Sequence, residues 1–455
     1  MKNMSLIRMA DVCGGVYYGE ESKKNIEVSS ITTDSRKAEE GCLFIAIKGE
    51  RVDGHSFIPA VFEKGALCVL SEQKLENPQG PYILVESSLT AIKKLARYYR
   101  KQLDIKVVGI TGSVGKTSTK EMIASVLGEK YKVLKTLGNF NNELGLPLTI
   151  FRLREDDEIA VLEMGISDFG EMHRLSEIAC PDVCVITNIG QCHLEYLHDR
   201  DGILRAKSEI FDFIAENGTI VLNGDDDKLS GLTQVKGIVP HFFGIETKRE
   251  LYADELENLG LKGIRCRIHA KDESFQVDIP IPGYHMVQNA LAATAVGLSL
   301  GLTLKEIHDG IEKLEAISGR FHLIETDRYT IIDDCYNANP VSMKASLTAL
   351  QDGLFRKVAI LGDMGELGAD EEELHREVGK YAADLNIDLF LCVGTLCRNI
   401  AEGIWEKNPD KKVQKFDTVG ELLQALPQIL KEKDTILVKA SHFMKFDQIV
   451  SELKK

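Results

Sequence analysis

The segment Val107-Val108-Gly109-Ile110-Thr111-Gly112-Ser113-Val114-Gly115-Lys116-Thr117-Ser118 carries the residue types of a phosphate cradle. A β-branched run feeds a glycine-rich turn, then Lys-Thr, then an amphipathic stretch over 119–127. Glycines let the backbone wrap closely, so that its N–H groups meet phosphate oxygens, and the following helix adds the positive end of its dipole. In such a loop Gly112, Ser113, Val114, Gly115 and Ser118 surround the phosphates. Lys116 reaches the β- and γ-phosphates, and the Thr117 hydroxyl meets Mg²⁺. The strict GxxxxGK[ST] spacing needs glycine at position 110, where this chain has Ile110. The glycine falls at Gly112, so the loop is a variant, and an ordinary glycine-rich βα turn is the alternative.

A nucleoside triphosphate needs Mg²⁺, and Mg²⁺ takes oxygen ligands near the phosphates. Glu163 follows the apolar run Ile159-Ala160-Val161-Leu162, at the strand edge where open α/β sheets bind ligands. It is a candidate metal ligand or a solvated strand-end acid. His193, in Thr187-Asn188-Ile189-Gly190-Gln191-Cys192-His193, follows another strand-like run and by itself reads as a loop or packing residue. Lys207, on a helical pattern, by itself reads as a solvated face.

The elements that must position these residues alternate short apolar runs with helical periods, which predicts an α/β architecture. Strand-like runs at 42–47, 67–70 and 82–85 and a helix at 90–101 make a first part, residues 1–103. A second part, 104–317, opens with the strand 105–110 and continues through 159–162, 183–187 and 219–222. The period then changes to two: Ile264, Cys266 and Ile268 alternate with Arg265, Arg267 and His269, predicting an antiparallel pair with 275–279. Helices at 285–300 and 304–315 follow. A third part, 318–455, alternates strands at 329–333, 358–361, 389–393 and 435–438 with helices.

The 455 residues suit about three domains. The net charge of −15 argues against a general nucleic-acid binder or a protein held on anionic membrane. No apolar run approaches the ~20 residues of a membrane span, and residues 1–10 have no signal-peptide core, so a cytoplasmic protein is expected. The ten cysteines contain no CxxC pair and read as reduced thiols; zinc at Cys180, Cys184, Cys192 and His193 is disfavoured. Gly362, Gly365 and Gly368 do not form GxGxxG, which disfavours a dinucleotide site.

Several blocks together resemble the Mur ligase family, the ATP-dependent amide-forming enzymes of peptidoglycan precursor synthesis. They are Thr111-Gly-Ser-Val-Gly-Lys-Thr117, Glu163-Met-Gly165, Thr187-Asn-Ile-Gly190 with His193 and Glu195, Lys207-Ser-Glu209, Gly283-Tyr-His285 with Asn289, and Gly319-Arg320. The resemblance covers nearly the whole chain. It implies an N-terminal α/β UDP-sugar domain, a central P-loop-type domain with a mostly parallel sheet flanked by helices, and a C-terminal Rossmann-like domain. The blocks Asp333-Asp334-Cys335-Tyr336-Asn337-Ala338-Asn339-Pro340 and Leu361-Gly-Asp-Met-Gly-Glu-Leu-Gly368 with His375 imply the substrates UDP-N-acetylmuramoyl-tripeptide and D-alanyl-D-alanine. Further support comes from Thr33-Asp34-Ser35-Arg36, Asp53-Gly54-His55 and Gly138-Asn139-Phe140-Asn141-Asn142.

By that resemblance Lys116, Glu163, His193 and Lys207 are catalytic. Thr117 and Glu163 hold one Mg²⁺; His193 and a carbamylated Lys207 hold a second. Asn289, Arg320 and Asp334 join the loop in binding ATP. Thr33, Asp34, Ser35, Arg36, Asn139, Asn142, Asn337 and Asn339 contact the other substrates. A monomer is expected. One departure stands out: Val438-Lys439-Ala440-Ser441-His442 has histidine where the family commonly has arginine. The rival readings are another ligase of the superfamily, for the third stem-peptide residue or for folylpolyglutamate, and a nucleotide-dependent switch ATPase. The absence of an Asn-Lys dipeptide argues against a guanine-specific switch.

Overall fold

The computed structural model describes the chain apart from Arg51, Gln191 and His193 and the side chains of Leu194 and Glu195. Three sheets follow one another along the chain. The first has the spatial order Val16–Tyr18, Tyr82–Leu84, Cys68–Ser71, Leu43–Ile45, Ile31–Thr32, parallel except for the outermost Val16–Tyr18. The three inner strands fall on the expected apolar runs. The outer two are two or three residues long and carry no buried run for a pattern to reveal.

The second sheet has nine strands. Its parallel core orders Thr219–Asn223, Val183–Ile186, Lys106–Thr111, Ile159–Glu163 and Val133–Lys135 side by side. Alternate residues face opposite layers. Val108, Ile110, Val161 and Val185 pack with helices Lys116–Leu127 and Tyr284–Ser299. Val107, Leu162, Cys184 and Ile186 pack with helices Ser88–Arg100 and Glu171–Ala179. Burial on both faces explains why these strands read as continuous apolar runs. The core is continuous across residue 103: the buried Arg100 guanidinium donates to the carbonyls of Ala179, Leu103 and Ile105. The expected period-two pair is the antiparallel hairpin Ile264–Ala270 with Glu273–Ile279, its arginines outward and Arg265 bonded to Asp278 at 2.6 and 2.8 Å.

The third sheet runs His322–Glu325, Thr330–Asp333, Thr435–Lys439, Lys357–Gly362, Leu389–Val393, Val413–Phe416, parallel but for the first pair. Two parallel sheets therefore present C-terminal strand ends, and both sets of ends line one cavity. Among the described residues, no helix is long and apolar enough to cross a membrane.

Candidate active site

The cavity measures about 580 Å³. One wall is the glycine-rich loop between strand Lys106–Thr111 and helix Lys116–Leu127. Ile110 is the buried penultimate residue of that strand, so the turn starts two residues later than the strict spacing would place it. Two glycines are required there. A Cβ on Gly112 would lie 1.9 Å from Thr187 Oγ1, and Gly115, at φ +84°, opens the helix. The segment after strand Val183–Ile186 clamps the loop from beside it. Val114 N–H donates to Asn188 Oδ1 at 2.9 Å, Thr187 Oγ1 donates to the Val114 carbonyl at 2.8 Å, and Gly190 N–H donates to Ser113 Oγ at 2.9 Å. Ile189, inside the clamp, is itself held: its N–H donates to Asp226 and its carbonyl accepts from Arg200. Lys116 folds across the loop, donating to the Gly112 carbonyl at 2.8 Å. The result is an open helix N-terminus with a lysine and a hydroxyl, Thr117, beside it.

Glu163 closes the next strand and is 3% exposed. Its Oε1 accepts from Asn141 Nδ2 at 2.8 Å, while Oε2 is buried with no hydrogen-bond partner among the described residues. An unsatisfied buried carboxylate oxygen on a cavity wall is costly unless a cation meets it. The nearest cation is Lys120 Nζ, 3.9 Å away, already bonded to the Thr136 carbonyl and to Glu121. Among the described residues no three acids, histidines or cysteines form a metal cluster. Glu163 and the Thr117 hydroxyl thus suit a cation that takes its remaining oxygens from a phosphate ligand and water, the habit of Mg²⁺. Lys207 lies on helix Arg200–Ser208, 1% exposed, and burial together with the Lys116 charge pushes its pKa down to about 7. His193 lies outside the described residues.

The opposite wall comes from the third sheet. Arg320 crosses the cleft: one guanidinium N–H reaches Thr117 Oγ1 at 3.4 Å, and the group stacks 4.2 Å from the centre of the Tyr336 ring. Tyr336 in turn packs against His442, the ring centres 5.4 Å apart. Asp334 faces the cavity with both oxygens engaged, Oδ1 by Phe321 N–H and Oδ2 by Ser346 and the buried Lys439 at 2.5 Å each. Asn289 is buried beneath the loop and accepts from Thr119 Oγ1 at 2.7 Å.

The cavity gathers the loop residues 113–118, Asn139, Asn142, Glu163, Arg320, Asp334, Asn337 and Asn339. Three of these have structural work as well: Asn142 Oδ1 accepts from Gly145 N–H, Asn337 Oδ1 accepts from Ala338 N–H, and Asn339 caps helix Pro340–Leu350. Thr33, Asp34, Ser35 and Arg36 do not line it. Asp34 instead binds Arg36 through its backbone N–H and guanidinium, which holds the Asp34 carboxyl down at about 2. His375 does not reach the cavity either: it is fully buried, Nε2 accepting from Met364 N–H and Nδ1 donating to the Glu371 carbonyl. Sequence reasoning gave no site role to Asn141, Lys120, Tyr336, Lys439 or Glu366. Lys120 was within reach of a helical-wheel argument, one turn beyond Lys116; the others depend on tertiary placement.

Three family models match the chain: "Mur ligase family, catalytic domain" over residues 27–100, "Mur ligase middle domain" over 110–297, and "Mur ligase, glutamate ligase domain" over 319–442. A UDP-N-acetylmuramoyl-tripeptide–D-alanyl-D-alanine ligase of Bacillus subtilis is 41% identical over 431 residues, covering 94% of this chain and 93% of its own. The Escherichia coli protein of the same name is 34% identical over 460 residues, 100% and 99% of the two chains. Among solved structures, MurF from Acinetobacter baumannii superposes with a TM-score of 0.89 at 33% identity over 99% of this chain and 98% of that one. MurF ligase from Thermotoga maritima in complex with ADP gives 0.80 at 32% identity, covering 93% and 97%.

Proposed function

The chain belongs to the Mur ligase family, and from that we infer that it is the ATP-dependent ligase joining D-alanyl-D-alanine to UDP-N-acetylmuramoyl-tripeptide in peptidoglycan precursor synthesis. The carrying observation is a phosphate loop and an unsatisfied carboxylate, Glu163, on one wall of a cavity whose other wall is the third sheet. A carboxylate is a poor electrophile. Its oxygen attacks the γ-phosphorus of ATP, the bond to ADP breaks, and an acyl phosphate forms. The amine of the dipeptide then attacks the acyl carbon, the C–O bond breaks and phosphate leaves.

The chain's own residues have distinct tasks in this scheme. The N–H groups of residues 113–118 and Lys116 hold the β- and γ-phosphates and offset the repulsion between two anions. Arg320 adds positive charge from the facing wall, so ATP bridges two sheets and closure completes the site. Asn289 and Asp334 complete the nucleotide contacts, Asp334 through the segment it ties together rather than through a free oxygen. Thr117 and Glu163 would hold one Mg²⁺; His193 and Lys207, the latter as a carbamate, would hold the second. When bound, the two ions neutralise charge on the transferring phosphoryl group. A buried amine with a pKa near 7 is about half uncharged at neutral pH, where an ordinary lysine is almost fully protonated; the uncharged form adds CO₂, and this supports carbamylation of Lys207. Thr33, Asp34, Ser35 and Arg36 contact the UDP-sugar end of a long substrate whose acyl end lies in the cavity, near Asn139 and Asn142. Asn337 and Asn339 flank the dipeptide. Residues 1–103, 104–317 and 318–455 act as three domains of a cytoplasmic monomer.

Mass spectrometry of the purified protein with ATP, Mg²⁺, UDP-tripeptides ending in lysine or diaminopimelate and a panel of dipeptides tests this reading. A product one D-alanyl-D-alanine heavier, minus water, is expected. Addition of a single amino acid instead would point to another ligase of the family.

A further inference from the structure

We propose that Glu366 receives the ammonium group of the incoming amine substrate, a proposal that rests on the ligase reading above. Four carboxylates line the cavity: Glu163, Glu171, Asp334 and Glu366. Three are engaged. Glu163 accepts from Asn141 through Oε1 and its unsatisfied Oε2 is taken by the metal in the ligase reading, Glu171 accepts from Ser167 N–H at 2.7 Å and Asp168 N–H at 3.3 Å, and Asp334 is paired with Lys439. Glu366 alone makes no hydrogen bond or ion pair with a described residue, and it is exposed to the cavity.

Its backbone is the second observation. Glu366 sits at φ +62°, the left-handed region that a residue with a Cβ rarely adopts. The segment is fastened there. Met364 N–H donates to His375 Nε2 at 2.9 Å, Gly365 N–H donates to Ser441 Oγ at 2.9 Å, and Ser441 N–H donates to the Asp363 carbonyl at 3.0 Å. Asp363 Oδ1 accepts from Cys397 N–H at 2.7 Å. Strain held this firmly at a cavity wall is characteristic of functional positions. The segment leaves the C-terminal end of strand Lys357–Gly362, an edge where parallel sheets bind ligands.

Charge gives the ligand class. The cations on the cavity are Lys116, Arg320 and Lys439, and Lys439 is neutralised by Asp334. Lys116 and Arg320 meet at the phosphate loop and suit anions. An amine substrate arrives as an ammonium and needs a carboxylate that no cation already neutralises; Glu366, on the third-sheet wall, is the free one. Anions are thus met at the phosphate loop and the ammonium at the segment after strand Lys357–Gly362, and the ion pair holds the nucleophile's nitrogen in the cavity.

The test compares Glu366→Gln with the wild-type enzyme. The KM for D-alanyl-D-alanine should rise at least about 10-fold, as loss of a charge-assisted bond implies, while the KM values for ATP and UDP-tripeptide change less than about twofold. N-acetyl-D-alanyl-D-alanine lacks the ammonium, so its inhibition constant should be the same for both enzymes. Glu366→Gly relieves the left-handed strain; it should melt no lower than the wild type and show the same KM rise, with Glu366→Asp recovering part of it. An unchanged dipeptide KM in Glu366→Gln, or an equal loss for the N-acetyl dipeptide, overturns the proposal. Turnover of the wild type with D-alanyl-D-alanine tests the ligase reading separately. If the wild type joined a different amine, that reading would fall and Glu366 would be judged with that amine.

Discussion

Lys207 shows how much a side chain's surroundings decide its chemistry. On a solvated helix face a lysine is a cation; with 1% exposure and Lys116 nearby, its pKa falls to about 7. Two consequences have a definite sign. The unmodified residue binds fewer protons than in the unfolded chain between about pH 7 and 10.5, so its contribution to stability rises with pH across that window. Below about pH 7 the amine protonates, and a carbamate formed on it would be lost. With ¹³C-labelled CO₂, NMR should show one slowly exchanging carbamate signal that fades as the pH falls below about 7 and is missing from Lys207→Ala. That variant should be inactive and partly rescued by short carboxylates; wild-type behaviour would remove the carbamate from the account. Glu163 makes a parallel case through its partnerless Oε2. Glu163→Ala should raise the Mg²⁺ concentration needed for half-maximal rate by an order of magnitude or more, and an unchanged Mg²⁺ titration would make Glu163 a structural acid.

At the scale of elements, the phosphate loop depends on its neighbour. The segment 187–190 makes hydrogen bonds to Ser113 and Val114, and Asp226 and Arg200 fix that segment from behind. Asn188→Ala should leave the fold intact yet lower ATP affinity measured by calorimetry by roughly 5- to 30-fold, because about 1–2 kcal/mol of loop ordering is lost. Equal affinities would mean that the loop is rigid without its clamp. Asn339 offers the contrasting case. As the cap of helix Pro340–Leu350 it should cost about 1 kcal/mol on replacement by alanine, read as a fall in the thermal midpoint. A variant with unchanged stability and a raised dipeptide KM would assign it to substrate instead.

These elements also mark how far the sequence could be read. The buried parallel strands Lys106–Thr111, Ile159–Glu163 and Leu389–Val393 announced themselves because both faces need apolar side chains. The hairpin Ile264–Ala270 announced itself by its period of two. Val133–Lys135 and Val413–Phe416 did not, being short, half-exposed edge strands whose pairing depends on a neighbour far along the chain. The same holds within the site. Gly112, Lys116 and Thr117 form a local spacing and are legible, and Glu163 is legible as a strand end. Asn141, Lys439 and Glu366 are single polar residues whose meaning appears only when two sheets face each other, and Arg320 was reached only through family resemblance. Lys207 was misjudged on helical pattern alone, since a pattern reports one element's periodicity and not what packs against it.

For the whole molecule the central feature is a cleft between two parallel sheets, bridged by Arg320 reaching Thr117. The net charge of −15 sits uneasily with anionic substrates unless it lies elsewhere, and the exposed Glu372 and Glu373 are part of that outer charge. The cleft keeps Lys116 and Arg320 where phosphates would lie. If ATP joins the two walls, hydrolysis should be tightly coupled to amide formation, because neither wall alone holds the reacting groups. The most direct measurement follows ADP and product together, with ATP, Mg²⁺, UDP-N-acetylmuramoyl-tripeptide and D-alanyl-D-alanine each left out in turn. The prediction is one ADP per amide bond, sustained turnover only with every component, and none in Lys116→Ala. Sustained ADP release without the dipeptide or without the UDP-tripeptide, or near-normal turnover by Lys116→Ala, would contradict it.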